Sequence, residues 1–219
     1  MDGQKGYVSN IAISPLIEYK NGQFNFSGYP RGSGLSTSTA AKLLEMIGAK
    51  NYNTDSKLLW QMGEDLFNLE NTELNWAIGR QDQYSIVYGG FNCFEFGADY
   101  ATRIDVNISR ITLERFKKKL LLLHTGVSRN AQSAVEEVYR NYKTPAGRDA
   151  LKKLAAYGLE FAQMLAREEF GMCARIMEQN FEAQKQLASS TTNEGLESIY
   201  RFAKENGALG GKIAGAGGG

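Results

Sequence analysis

Glycine and hydroxyl residues cluster in a segment that leads directly into an amphipathic helix. The segment comprises Pro30, Arg31, Gly32, Ser33, Gly34, Leu35, Ser36, Thr37, Ser38 and Thr39. Glycines let backbone amides approach a phosphate, and the free N–H groups and positive dipole end of the helix favour an anion. The segment is therefore a candidate phosphate cradle, with hydroxyls for a phosphate-bound magnesium ion. A Ser/Thr-rich helix cap is the alternative, and the Gly-Lys-Ser/Thr pattern of a P-loop is missing.

A second group of polar residues surrounds Asp82. The segment is Gly79-Arg80-Gln81-Asp82-Gln83-Tyr84, followed by Tyr88-Gly89-Gly90-Phe91-Asn92. Donors on both sides would hold the carboxylate in one orientation, so Asp82 is a candidate general base for a hydroxyl group. A solvated aspartate in a surface turn is the alternative.

A third feature is the glycine-rich segment at the end of the chain, Gly210 to Gly219. Its composition fits a flexible tail, and it also fits a loop whose backbone closely approaches another group. Both interpretations stay open at this point.

Hydrophobic periodicity predicts the elements that hold these residues. Short β-like segments over 6–26, interrupted by Asn21-Gly22, predict a hairpin. Helices are predicted over 40–47 and 56–69, and strands over 89–96, 104–108 and 120–124. Residues 130–206 are helical in character, with breaks near Thr144-Pro145, Gly171 and 189–193.

Composition and charge exclude several classes of function. The 219 residues are 42% hydrophobic, enough for one large domain or two small lobes. A net charge of +1 gives no electrostatic excess for nucleic acid or an anionic membrane. Cys93, Cys173 and His124 cannot assemble a zinc site, and the longest apolar run, 120–123, is too short to cross a bilayer. We expect a cytoplasmic protein with no nucleic-acid or membrane partner. The oligomeric state is left open.

Taken together and in this order, the three motifs resemble the GHMP kinases, the superfamily of galactokinase, homoserine kinase and mevalonate kinase. Residues 30–38 are similar to the family's phosphate loop, Pro-x-Gly-x-Gly-Leu-(Gly/Ser)-Ser-Ser, and residues 212–219 are similar to its C-terminal glycine loop. Gly-x-Gln-Asp-Gln-Tyr, Tyr-Gly-Gly-Phe-Asn and the Thr-Gly-x-x-Arg-x-Ala segment at 125–131 resemble the D-glycero-D-manno-heptose 7-phosphate kinases. Fucokinases usually carry Gly-Trp-Gln-Asp-Gln, and here Arg80 takes the place of the tryptophan.

The resemblance implies an α+β GHMP kinase fold. Residues 1–112 would form the ribosomal-protein-like, ATP-binding N-terminal lobe, and residues 113–219 a helix-rich, ferredoxin-like C-terminal lobe. Relative to the family, the chain is shorter at its N-terminus, between the first strands and the phosphate loop, and at its C-terminus. The family's Gly-Gly-x-Thr-Asp motif is missing, and we expect an incomplete version of the fold.

The resemblance also implies an ATP- and Mg²⁺-dependent sugar kinase whose product is a heptose 1,7-bisphosphate. Asp82 would orient or deprotonate the sugar C1 hydroxyl, and Ser38 and Glu70 would hold magnesium. Arg80 and Arg129 would be cationic stabilisers, although Arg129 is equally well interpreted as a surface charge. ATP would lie against residues 30–39 together with Gly215, Ala216 and Gly217. The sugar or sugar phosphate would contact Tyr88, Gly89, Gly90 and Asn92, although Tyr88 also fits a core position.

Two alternatives come from other functional classes. The chain would be a non-catalytic nucleotide- or sugar-binding relative if the missing first motif is needed for activity. The helical half would be an interaction module if its charged faces meet a partner. Retention of Glu70, Ser38 and Asp82 together favours catalysis.

Overall fold

The structure is a computed structural model that describes residues 6–11, 16–20, 23–27, 36–50, 56–73, 78–97, 100–126, 132–215 and 217. Its strands are β1 (Gly6–Ile11), β2 (Leu16–Lys20), β3 (Gln23–Ser27), β4 (Phe91–Phe96) and β5 (Ala101–Ile104). Its α-helices are α1 (Thr37–Lys50), α2 (Ser56–Asn68), α3 (Gln81–Tyr88), α4 (Arg110–Lys117), α5 (Gln132–Asn141), α6 (Pro145–Ala166), α7 (Phe170–Leu187) and α8 (Glu194–Glu205). A π-helical turn, Leu69–Glu73, follows α2, and a 3-10 turn, Ser189–Thr191, follows α7.

The strands form two antiparallel groups. A three-stranded sheet has the order β1-β4-β5, in which Val8 lies opposite Phe94 and Phe94 lies opposite Arg103. β2 pairs with β3, and Lys20 lies opposite Gln23. This pairing confirms the predicted hairpin, although Asn21-Gly22 itself lies outside the described residues.

Helices cover both faces of β4. Phe94 and Phe96 lie on one face, where their rings contact Tyr84 of α3 at centroid distances of 5.6 and 5.7 Å. The side chain of Phe91 lies on the other face of β4, and its ring contacts that of Phe161 in α6 at a centroid distance of 6.3 Å. Because side chains alternate across a strand, the core on each side is built from a different helix layer. The sheet thus holds α3, which carries Asp82, against a fixed surface.

Two helices in the C-terminal half of the chain begin at side-chain caps. The hydroxyl of Thr144 accepts a hydrogen bond from the Gly147 amide, with Pro145 as the first residue of α6. Asn193 caps α8 in the same way through the Leu196 amide. These caps confirm the predicted breaks at 144–145 and 189–193. Among the described helices, none combines the length and the apolarity that crossing a bilayer requires.

Two strand predictions were wrong. The strand predicted over 104–108 is Ala101–Ile104 instead, and Ser109 already caps α4. Residues 120–124 are irregular, and Leu121 is 84% exposed. A strand needs a partner to satisfy its backbone, and no described strand pairs with this segment. His124, at the end of this segment, is exposed too.

Candidate functional site

Asp82 lies in the first turn of α3, and its carboxylate accepts hydrogen bonds from Ser36 and Gln81. Burial raises the pKa of the Asp82 carboxyl above its ordinary value, although those two hydrogen bonds act in the opposite direction. A general base with a raised pKa accepts a proton more readily. The geometry therefore fits the predicted role better than a solvated surface turn does.

Ser36 joins the start of α1 to the start of α3. Its backbone is in the left-handed region, with φ +54°, and its carbonyl accepts the Ala40 amide at 3.0 Å. A non-glycine residue in this region costs on the order of 1–3 kcal/mol and is often found at functional sites. Because Ser36 bonds to Asp82, two helix N-termini converge on one place. Their free amides and dipoles favour an anion there.

Glu70 lies in the π-helical turn and is only 1% exposed. Its Oε2 accepts Gln83 Nε2 at 2.6 Å and Thr39 Oγ1 at 3.4 Å. Desolvation raises the pKa of Glu70, the hydrogen bonds from Gln83 and Thr39 lower it, and the charge of Asp82 raises it further. The hydrogen bonds from Gln83 and Thr39 tie Glu70 to α3 and α1.

The donor set around Glu70 fits a magnesium ion. Oε1 of Glu70 is buried and has no hydrogen-bond partner within the described part of the chain. The same residues contain no group of three or more His, Cys, Asp or Glu that could hold a metal, but magnesium needs only one or two protein carboxylates beside phosphate oxygens and water. The sequence predicted Ser38 beside Glu70. The side chain of Ser38 lies outside the described part of the structure, and the hydroxyl that donates to Glu70 is that of Thr39.

Arg80 lies beside Asp82 in sequence and is held by α2. Its Nε donates to Glu64 Oε1 at 3.0 Å, and its guanidinium carbon lies 4.2 Å from the centre of the Phe67 ring. Tyr84 donates to the same Glu64 oxygen at 2.7 Å. Glu64 thus anchors both ends of the first turn of α3. The catalytic role of Arg80 stays a prediction.

The predicted sugar contacts form the turn between α3 and β4. Gly89 and Gly90 have φ of +60° and +64°, and Asn92 is buried with its Nδ2 donating to the Gly89 carbonyl at 2.6 Å. The Tyr88 ring lies 5.2 Å from that of Phe94. The core interpretation of Tyr88 therefore agrees with its packing, and substrate contact by this turn stays a prediction.

The C-terminal glycine loop approaches the helical half closely. A Cβ at Gly210 would overlap the carbonyl oxygen of Ala174, and one at Gly217, which has φ +83°, would overlap that of Thr191. Lys212 donates to Asn180 at 2.7 Å. These contacts favour a close-approach loop over a flexible tail. For Gly215 and Gly217, ATP binding stays a prediction.

Several predicted site residues lie partly or wholly outside the part of the chain that the structure describes. Thr37 and Ser38 belong to α1, but their side chains are not described. The following lie outside the described residues: Pro30, Arg31, Gly32, Ser33, Gly34, Leu35, Arg129 and Ala216.

Two site residues were missed from the sequence. Gln83 had a signal, because it belongs to the Gln-Asp-Gln segment, but it was given no role. Glu64 had no such sequence signal, because only the packing of α2 on α3 brings it to Arg80 and Tyr84.

Comparison with known proteins confirms the resemblance to the heptose phosphate kinases. No family model matches the chain. The chain is 27% identical over 197 residues to a D-glycero-alpha-D-manno-heptose 7-phosphate kinase from Campylobacter jejuni, which covers 89% of this chain. The chain spans 58% of the length of that relative.

Two solved structures share the fold. One is a D-glycero-D-manno-heptose 1-phosphate kinase from Bacteroides thetaiotaomicron, with a TM-score of 0.60 and 22% identity, over 89% of this chain and 54% of that one. The other is a sugar kinase candidate from Campylobacter jejuni, with a TM-score of 0.52 and 24% identity, over 87% and 54%. The α+β class is therefore confirmed, because the chain shares a helix-rich α+β fold with these two solved structures.

Proposed function

We propose that the chain is an ATP- and Mg²⁺-dependent sugar kinase that phosphorylates the anomeric hydroxyl of a heptose 7-phosphate. One observation carries the proposal: Asp82 lies where the N-termini of α1 and α3 converge, bonded to Ser36. A carboxylate with a raised pKa thereby lies next to amides that favour phosphate. The similarity to a heptose 7-phosphate kinase supports the choice of sugar.

The loop before α1 would bind ATP. The triphosphate would lie against residues 30–39, where backbone amides and the start of α1 offset its charge. Gly215 and Gly217 would close the site from the C-terminal loop. This chain acts mainly by positioning the phosphate and the sugar, as is usual in phosphoryl transfer.

Magnesium would be held by Glu70, through the unpaired Oε1, and by Ser38. When bound, the ion neutralises charge on phosphate oxygens. Gln83 and Thr39 hold the other carboxylate oxygen of Glu70 in place.

Asp82 accepts the proton from the sugar C1 hydroxyl. The C1 oxygen forms a bond to the γ-phosphorus, the bond from that phosphorus to the bridging oxygen breaks, and ADP leaves. Arg80 and Arg129 would stabilise the transferring group, and Tyr88, Gly89, Gly90 and Asn92 would contact the sugar. The product is a heptose 1,7-bisphosphate.

The same proposal divides the chain into two lobes. Residues 1–112 form the ribosomal-protein-like, ATP-binding lobe, and residues 113–219 form the ferredoxin-like lobe. Their interface includes Phe91 against Phe161 and α6 against β1. We place the protein in the cytoplasm, with a small sugar phosphate as its partner.

The test is phosphoryl transfer from Mg²⁺-ATP to a panel of acceptors: D-glycero-D-manno-heptose 7-phosphate, L-fucose, galactose and mevalonate. Turnover of the heptose phosphate alone, abolished in Asp82→Asn, is the expected result. Preference for fucose would favour a fucokinase-like enzyme. No turnover from a folded protein that still binds ATP would favour the non-catalytic alternative.

A further inference from the structure

Gln83 bonds to the Glu70 carboxylate and is the neighbour of Asp82 in the chain. It follows Asp82 in α3, is 1% exposed, and donates from Nε2 to Glu70 Oε2 at 2.6 Å. The amide and the carboxylate thus form a buried pair between α3 and the π-helical turn.

Each member of this pair has an oxygen without a partner. Oε1 of Glu70 and Oε1 of Gln83 are both buried and unbonded within the described residues. Most buried polar atoms in proteins are hydrogen-bonded, because an unpaired one costs about 1–3 kcal/mol. Two such atoms on bonded neighbours are available to a polar ligand.

We propose that Gln83 is a positioning residue that fixes the Glu70 carboxylate so that Oε1 is available to a divalent cation. The inference rests on the proposed function. The Gln83 amide occupies Oε2, which leaves Oε1 as the available oxygen. Groups that orient a metal ligand in this way typically change metal affinity by 10- to 100-fold, by analogy with known metal sites. Since Gln83 adjoins Asp82, the same side chain also sets the cation ligand relative to the base.

The experiment measures Mn²⁺ binding to the ADP-bound protein by electron paramagnetic resonance of free Mn²⁺. Gln83→Met keeps the length of the side chain and removes the hydrogen bond. Its Mn²⁺ affinity is expected to fall about 10-fold or more, while the affinity for metal-free ATP changes little. The melting temperature falls as well, because Glu70 loses a buried hydrogen bond, so the affinities are compared at a temperature where both proteins are folded. Gln163→Met, an exposed residue of α6, is the matched control.

Equal Mn²⁺ affinity in the wild type and in Gln83→Met would overturn the role of Gln83 and leave the kinase proposal standing. A wild type that binds neither Mn²⁺-ADP nor metal-free ATP would overturn both. If Gln83→Met does not fold, Gln83→Asn keeps an amide that is one methylene too short, and the same loss is expected. Unchanged affinity in that variant would equally reject the inference.

Discussion

Ser36, just before α1, donates a hydrogen bond to Asp82 in the first turn of α3. The two residues lie far apart in sequence, and their contact brings two helix N-termini together. Ser36 makes this contact from a left-handed backbone conformation, at φ +54°. The strained residue and the desolvated carboxylate therefore occur in the same place, as is common where a protein binds a ligand.

Replacement of Asp82 by Asn should abolish phosphoryl transfer, with a fall in kcat of at least about 100-fold. ATP affinity, measured by titration calorimetry, should change little. Asp105→Asn, on an exposed residue after β5, is the matched control. Activity that survives in Asp82→Asn would remove Asp82 from the mechanism.

The same variant should be more stable than the wild type at neutral pH. Burial raises the pKa of Asp82 above 3.8, so the folded state favours the protonated form and the charged form is costly above that raised pKa. Asp82→Asn removes this cost, and its advantage should vanish below the unfolded pKa of 3.8. Urea unfolding between pH 3 and 8 measures the effect. An advantage that does not depend on pH would contradict the explanation.

Replacement of Glu64 by Gln should destabilise the protein by about 2–3 kcal/mol, because hydrogen bonds to a charged acceptor contribute more than neutral ones. Arg80 and Tyr84 both donate to this partly buried carboxylate. Denaturant unfolding measures the loss, with exposed Glu73→Gln as the control. In a double-mutant cycle with Tyr84→Phe, strict additivity would show that the two side chains are not coupled.

Glu137 should stabilise the fold in a pH-dependent way. Its carboxylate accepts the Ser189 amide and hydroxyl at 2.9 Å and the Ser190 amide at 3.2 Å, and hydrogen bonds from these two serines lower its pKa to about 2. A lowered pKa gives stability that is complete above the unfolded pKa of about 4.5 and is lost as the pH falls through about 2.

Glu137→Gln should therefore lose about 1–2 kcal/mol at pH 7, after allowance for solvent screening, and almost nothing at pH 2. Thermal unfolding at both pH values measures this difference. Glu136→Gln, on the neighbouring exposed residue, is the control. A constant difference at both pH values would show that shape, not charge, explains the loss.

Replacement of Gly210 by Ala should destabilise the protein by about 1–3 kcal/mol, since the added Cβ would overlap the backbone oxygen of Ala174. Gly171→Ala is the matched control, because nothing lies within 4 Å of a Cβ there. In α7 that change should be neutral or stabilising by up to about 1 kcal/mol. Equal melting temperatures for the two variants would contradict the close approach of the C-terminal loop.

Local signals accounted for most of the predicted elements. The caps at Thr144 and Asn193 are formed by side chains within three residues of the amides that they bind, so sequence alone could locate them. The apolar run from Leu120 to His124 led to a wrong strand prediction, because such a run has the composition of a strand but cannot specify the strand with which it would pair. Asp82 and Glu70 were predicted as site residues from the motifs, whereas Glu64 lies in an ordinary helical pattern.

The sequence by itself determined where the hairpin and many of the helices form, although not α3 and α4, and it predicted which residues would carry phosphate-binding and acid–base chemistry. These properties depend on residue type and on near neighbours. Only the tertiary structure decided which side chains meet. Ser36 with Asp82, Gln83 with Glu70, and Tyr84 with Glu64 are contacts between separate elements. They depend on how α1, α2 and α3 pack, and that packing is set by the fit of many side chains at once.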